Sequence, residues 1–411
     1  MSTLNPAWIT KTEFSEINGT LCPAEGNKIL VFSEPNPNSN TFTLARLNSD
    51  GTLDPTFNGT GYIEHSFAYN GNPMFFPISA HQQSDGKIFM VGATGTIFDL
   101  YPVAARFLSN GAADESFGDK GFVEFKSLRW TNATDTLSSA ELRSIPRQGS
   151  SVKALSASSL ALGGYLIVST EKGYLLRIKD DGSIYTGFGD KGYLRPKLAN
   201  GDDIVTPTAI VLGERIFVAG SAGTSGAVAC FTLTGAPDTS FGNEGARIIS
   251  LADDRKVGLY ALSSTDTTLL NLAGETSIGT DVAALLTRVT VEGNMDKRFN
   301  NGTPLVLRPD GRLADCRQVA SPQSDKNETF YIVGQTNRQD LSDARFYAAA
   351  FRPDGTLDNR FTPDGWGLGP EHSLAVSMYV DTQGNMLICG SVLDAGNKRQ
   401  GIVACYKLNA S

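Results

Sequence analysis

The chain has little of what most enzyme and metal sites are built from. Its 411 residues include 3 histidines, His65, His81 and His372, far apart and in no H-x-x-x-H or H-E pair, which disfavours a zinc site. The 5 cysteines, Cys22, Cys230, Cys316, Cys389 and Cys405, are odd in number and form no Cys-x-x-Cys pair. A disulfide framework is excluded on that pattern, and reduced, buried thiols are expected. No stretch approaches the roughly 18 apolar residues of a membrane helix. Basic residues are outnumbered, 35 Lys and Arg against 43 Asp and Glu, for a net charge of −8. That balance argues against nucleic acid and against anionic lipid as partners. The N-terminal Met1-Ser2-Thr3-Leu4-Asn5-Pro6 has neither a basic nor an apolar leader segment. The expectation is a cytoplasmic protein, one exported without a cleaved signal, or one whose leader has been trimmed.

What is abundant is glycine, 43 residues, and it recurs in a frame. Arg46, Arg106, Arg177, Cys230, Arg288 and Ala350 occupy equivalent positions. Eight residues on from each lie Asp54, Asp114, Tyr185, Asp238, Asp296 and Asp358. Eleven residues on lie Phe57, Phe117, Phe188, Phe241, Phe299 and Phe361, without exception. The gaps between successive Phe residues are 60, 71, 53, 58 and 62. A rigid frame separated by segments of free length is the signature of a repeat architecture.

A second signature lies between frames. Asp85-Gly86-Lys87-Ile88-Phe89-Met90-Val91-Gly92 is a turn followed by an apolar strand, one of seven such segments that include Arg215 to Gly220, Thr268 to Gly274 and Met386 to Gly390. A shorter apolar segment precedes each, and a fourth strand such as Gly61 to His65 follows each Phe. Strands of four to eight residues, bounded by Gly, Asp or Asn, with no helical periodicity, predict four-stranded units. Some seven of them predict an all-β fold, a seven-bladed β-propeller in one domain. Blade limits are expected near 16–67, 73–126, 152–196, 205–250, 256–307, 313–368 and 372–411. The seventh copy stops at Ser411 before its fourth strand, and Ala7 to Phe14 resembles the missing piece. The N-terminal strand, 7–14, is therefore expected to complete the last blade and cover its open edge.

The frame Ala45-Arg46-Leu47-Asn48-x-Asp50-Gly51-x-Leu53-Asp54-x-x-Phe57, with its companion Ser84-Asp85-Gly86-Lys87-Ile88, resembles the bacterial delta-60 repeat. The likeness runs over nearly the whole chain, in full in two or three copies and degraded in the rest. It implies propeller blades and transfers no catalytic residue.

The frame residues read as scaffold. Asn48-x-Asp50-Gly51-x-x-Asp54 lacks the further oxygens of a calcium loop, so Gly is expected to supply a positive φ in a hairpin turn. The Asp is expected to cap the turn through nearby backbone N–H groups. The Arg alternates with apolar neighbours, needs a partner, and is expected to find it across blades. Gly220-Ser221-Ala222-Gly223-Thr224-Ser225-Gly226 lacks the Lys and helix of a phosphate loop, and no nucleophile elbow is present. Asn-x-Thr triplets at Asn18, Asn58, Asn132, Asn301 and Asn327 read as turn chemistry.

Function is sought in what varies. The insertion from Ser127 to Ser151 carries Arg129, Trp130, Asn132 and Asp135, a set suited to sugar stacking or a protein hot spot. Successive fourth-to-first connections carry Asp202 and Asp203, Asp253, Asp254 and Arg255, Asp310 and Arg312, and Glu371 and His372. Around a channel mouth these would hold a cationic or hydroxylated ligand, or a cation such as calcium, and would raise one another's pKa. No other cofactor is expected. The leading expectation is a monomeric, non-enzymatic, lectin-like platform for a carbohydrate or a protein. The alternatives are a hydrolase or lyase using Asp203 or Asp254 with His372 or Arg255, and the targeting propeller of a bacterial effector.

Overall fold

The computed structural model describes all residues but 1, 5, 12–21, 25–27, 34–40, 67–74, 97–98, 127–154, 161–162, 170–172, 265, 322–327, 338–343, 382–383, 394–398 and 408–411. The N-terminal segment supplies β1 (Ser2–Thr3) and β2 (Trp8–Lys11). Blade one follows with β3 (Cys22–Ala24), β4 (Lys28–Phe32), β5 (Phe42–Leu47) and β6 (Tyr62–His65). Blade two is β7 (Phe75–Gln82), β8 (Ile88–Thr96), β9 (Asp99–Phe107) and β10 (Phe122–Glu124). Blade three is β11 (Leu155–Ser159), β12 (Tyr165–Ser169), β13 (Tyr174–Ile178) and β14 (Tyr193–Leu194). Blade four is β15 (Val205–Leu212), β16 (Arg215–Ala222), β17 (Ser225–Thr232) and β18 (Ala246–Ile249). Blade five is β19 (Lys256–Ser264), β20 (Leu269–Ile278), β21 (Asp281–Thr290) and β22 (Leu305–Leu307). Blade six is β23 (Ala314–Ala320), β24 (Phe330–Thr336), β25 (Arg345–Phe351) and β26 (Trp366–Leu368). Blade seven begins with β27 (Ser373–Val380), β28 (Met386–Leu393) and β29 (Arg399–Tyr406).

Each blade is an antiparallel meander in chain order, and together they make a seven-bladed β-propeller. In the last sheet β2 is the outer strand, with Trp8 opposite Cys405 and Lys11 opposite Ile402. Residues 12–14 of that N-terminal stretch lie outside the described residues. Blade six carries a fifth strand that the repeat pattern did not foretell: β1 runs parallel to β26, Ser2 opposite Gly367. Leu4 follows, donates its N–H to the Leu368 carbonyl at 3.0 Å, and is buried in the core between blades six and seven.

Strands apolar on both faces bury themselves against both neighbours, so the core is a ring of layers. Leu30 and Phe57 pack with Met90 and Phe107 between blades one and two. The ring closes where Ile29, Val31, Ala45 and Leu47 of blade one meet Leu387, Cys389, Val403 and Cys405 of blade seven.

The rigid frame is the joint between blades. Arg106 Nε donates to Asp114 Oδ2 at 2.7 Å, and its Nη1 crosses to the Asp180 carbonyl of blade three at 2.5 Å. Arg46 spans Asp54 and the Ser109 carbonyl in the same way. Arg177 reaches Leu233, and Arg288 reaches Pro353. Each acceptor lies two residues before the turn glycine of the next blade. Where Cys230 replaces the Arg, Arg215 of β16 serves instead, pairing with Asp238 at 2.9 Å and reaching the Val291 carbonyl at 2.8 Å. The expected cross-blade role of the Arg is present. The Asp has two roles rather than one: Asp54 Oδ1 accepts the Thr56 N–H at 3.1 Å as a cap, while Oδ2 takes the guanidinium.

A backbone bond runs alongside. The N–H after the frame Phe donates to the residue before the next turn glycine, as Gly189 to Thr234 and Gly242 to Glu292, both at 2.8 Å. The turn glycine itself sits on the preceding blade's Phe. Gly111 has φ 91°, and a Cβ there would lie 2.8 Å from the Phe57 ring. With both sides of the joint fixed to the residue, an insertion in the frame would break it, which is why the spacing does not vary.

The glycine ending the second strand has a different cause. The first strands of blades two, five, six and seven bulge at Ile78, Tyr260, Arg317 and Val376. Each bulge lies opposite that glycine, Gly92, Gly274, Gly334 or Gly390. A Cβ on Gly390 would run into the Leu374 carbonyl of the bulged strand.

Candidate binding face

A four-stranded meander places its first and third turns at one end and its second turn, with the connection to the next blade, at the other. The Asp-Gly frame turns are third turns, so the inter-blade joints occupy one end of the ring. The connections β14 to β15, β18 to β19, β22 to β23 and β26 to β27 lie at the opposite end, with the candidate acidic residues on them. The connection from β10 to β11 belongs there too. It holds 127–154, so Arg129, Trp130, Asn132 and Asp135 lie outside the described residues.

The acidic residues are not a bare ring of carboxylates. Asp203 meets Lys197 Nζ at 2.8 Å, and Asp202 accepts the Asn200 amide at 2.8 Å. Arg255 lies between Asp253, at 2.9 Å from Nε, and Asp281, at 2.8 Å from Nη2. Arg308 Nη2 donates to the same Asp281 at 2.6 Å. This ladder ties the connections on both sides of blade five to the start of β21. Asp310 stands 3.8 Å from Arg312 Nε. Asp254, Asp310 and His372 all hold a left-handed backbone, with φ of 54°, 56° and 54°.

Crowding predicts raised carboxyl pKa values, and the ladder gives the reverse. The Lys197 ammonium beside Asp203 holds its carboxyl below the ordinary value. Asp281 is likewise lowered, first by Arg308 and then by Arg255. Asp203 and Asp281 each have an adjacent cation, and a close opposite charge outweighs more distant like charges. Lys197, Asp281 and Arg308 were not singled out by the sequence. Nothing in their local pattern marks them, since their pairing follows from the blade hairpin and the two connections beside it.

Glu371 is exposed at the connection from blade six to blade seven. His372 Nδ1 is buried there without a hydrogen-bond partner. Gln335, on β24 beneath it, is 1 % exposed and donates Nε2 to the Ser373 carbonyl at 3.0 Å, leaving its Oε1 buried and unpartnered.

One nucleophile–base pair exists near the other end of the ring. His81, next to last in β7, and Ser159, the last residue of β11, stand on neighbouring first strands, Nε2 to Oγ at 2.6 Å. Burial pushes the imidazole down to about 4. A general base must hold the proton it takes, and a ring that disfavours its charged form so strongly is poorly suited to that. The pair reads as a tie between blades. Cys230 and Cys405 are buried thiols, each pushed up to about 11 by burial. Among the described residues no group of three or more His, Cys, Asp or Glu is placed to hold a metal ion. Among them, too, no helix is long and apolar enough to cross a membrane.

Comparison with known proteins agrees with this architecture. A family model described as "Domain of unknown function (DUF5122) beta-propeller" matches residues 27–57 and 215–241. Both matches run from a second strand through the third to the frame Phe, Phe57 and Phe241, so the match supports a propeller repeat family. No curated protein matches the chain. Among solved structures, streptogramin B lyase is similar over 97 % of both chains, with a TM-score of 0.51 and 11 % identity. Drosophila Semaphorin 2a is similar over 99 % of this chain and 76 % of its own, with a TM-score of 0.52 and 8 % identity. At such identities the likeness is one of fold alone.

Proposed function

We propose that the protein is a monomeric, non-enzymatic binding platform whose ligand, a carbohydrate or a protein, is taken by the connections opposite the frame turns. The repeats are, on this reading, of the delta-60 kind. The observation that carries it is the charge pairing at that end. Asp203 and Asp281 are held ionised by adjacent cations. A glycosidase-type general acid needs a raised pKa instead. Arg255 is engaged by Asp253 and Asp281 together, which leaves it ill placed to serve Asp254. Fixed, paired charges on rigid connections suit recognition, where groups already ordered lose less entropy on binding.

The test uses the whole chain on a printed glycan array and a displayed peptide library, with release of new reducing ends or double bonds measured on every retained ligand. Saturable binding without turnover, weakened by Trp130→Ala or by Asp253→Ala, supports the platform. Turnover that Asp203→Asn or Asp254→Asn abolishes would overturn it in favour of the hydrolase or lyase.

A further inference from the structure

Unpartnered polar groups are rare inside proteins, and each one calls for a cause. Two buried side-chain atoms without hydrogen-bond partners belong to residues at the connection between blades six and seven. Gln335 Nε2 bonds the Ser373 carbonyl, which fixes the amide orientation and leaves Oε1 as the free acceptor. His372, the residue before Ser373, buries Nδ1 with no partner. Gln335 cannot swing away, since its own N–H bonds Asp315 Oδ1 at 3.1 Å. Ser373 is anchored through Oγ to the Pro370 carbonyl at 2.6 Å.

The residue covering the pair is held in an unfavourable backbone. His372 has φ 54°, a region that side chains other than glycine seldom adopt, and its carbonyl is tied to Leu393 N–H only at 3.4 Å. The turn carries both backbone strain and two unmet polar atoms, and a ligand hydroxyl reaching those atoms would relieve the second.

We propose that this connection is a hydroxyl-binding subsite for a saccharide, with Gln335 Oε1 and His372 Nδ1 accepting from two neighbouring hydroxyls and the exposed Glu371 carboxylate accepting from a third. Saccharide hydroxyls both donate and accept, and a neutral polyol meets buried polar atoms without adding a charge to bury. The proposal rests on the binding-platform reading and narrows it to one ligand class and one connection.

The test is the glycan array repeated with variants, followed by titration of the best-retained glycan. His372→Asn tolerates the left-handed backbone and should keep the fold while binding at least tenfold more weakly. Glu371→Gln should weaken binding less, and Gln335→Leu should abolish it. A crystal soaked with that glycan should show its hydroxyls on Oε1 and Nδ1. Binding that survives His372→Asn but is lost in Trp130→Ala overturns the subsite and leaves the platform standing. Retention of no glycan, or a single ordered water bridging the two acceptors that the glycan does not displace, also overturns the subsite.

Discussion

Arg106→Leu is the sharpest probe of the inter-blade joint. The guanidinium donates to Asp114 at 2.7 Å, to the Asp180 carbonyl at 2.5 Å, to Ser116 Oγ at 3.0 Å and to Tyr165 Oη at 3.2 Å. It also lies 4.9 Å from the centre of the Phe117 ring. Removing one member of a buried ion pair costs about 3–5 kcal/mol, because the other charge is left unmatched. Asp114 keeps Lys87 Nζ at 3.2 Å and the Ser116 donors, so the lower end, about 3 kcal/mol, is expected. Arg177→Leu is the control. Arg177 crosses to the next blade equally, at 2.6 Å, but stacks 4.2 Å from the Tyr185 ring where other blades have the Asp. With no carboxylate to strand, its loss should cost about 1–2 kcal/mol. Urea unfolding of both variants reads the difference. Acid unfolding adds an independent check. Burial pushes the Asp114 carboxyl up, but the Ser116 donors, Lys87 and Arg106 outweigh it and hold it at about 2. A depressed folded pKa stabilises above the unfolded value near 4, and the gain of about 2 kcal/mol is lost as pH falls toward 2. In Arg106→Leu that loss should be smaller and complete at higher pH. Equal costs for Arg106→Leu and Arg177→Leu, or an unmoved acid limb, would refute the idea that the frame Arg neutralises its Asp while bridging blades.

Gly390→Ala should destabilise by about 2–4 kcal/mol in the same assay, since its Cβ meets the Leu374 carbonyl across the bulge. His81 should titrate near 4 by NMR, and a serine-directed fluorophosphonate should leave Ser159 unlabelled. The sign follows from the lowered value: His81 contributes stability above about 6.5, lost as pH falls through about 4. Asp281→Asn should leave stability nearly unchanged, because the carboxylate is more than a third exposed, and should lower the salt dependence of unfolding.

Much of this was legible because the joints are local in sequence. The frame keeps its Asp eight residues and its Phe eleven residues from the Arg position, so a reader of spacing finds both. The cross-blade carbonyl was not legible, since a backbone acceptor has no residue type. Nor was the exchange by which Arg215 covers for Cys230, because it is a substitution between neighbouring strands. The second-strand glycine was visible as a repeat mark, but its reason, a bulged carbonyl from the first strand, required the register. At the binding face the sequence named the acidic connections and Arg255, and missed the cations Lys197 and Arg308. Lys197 lies only six residues from Asp203, yet Arg308 reaches Asp281 from the far side of a hairpin.

The sequence by itself determined the unit and the number of units. Alternating short apolar strands with glycine at fixed offsets leave few ways to bury both faces, and seven four-stranded blades in a ring is one that also removes open faces. Tertiary structure decided everything that depends on which blade meets which. It brought β1 to blade six, closed the ring through Leu47 and Cys405, and set Asp281 against Arg255 and Arg308 from the connections on either side of blade five. It also tied Gln335 to the carbonyl of Ser373, the residue after His372, across a separation in sequence that no local pattern relates. Local spacing records the forces that act within a blade, whereas charge and hydrogen-bond partners across blades are set only once the ring has closed.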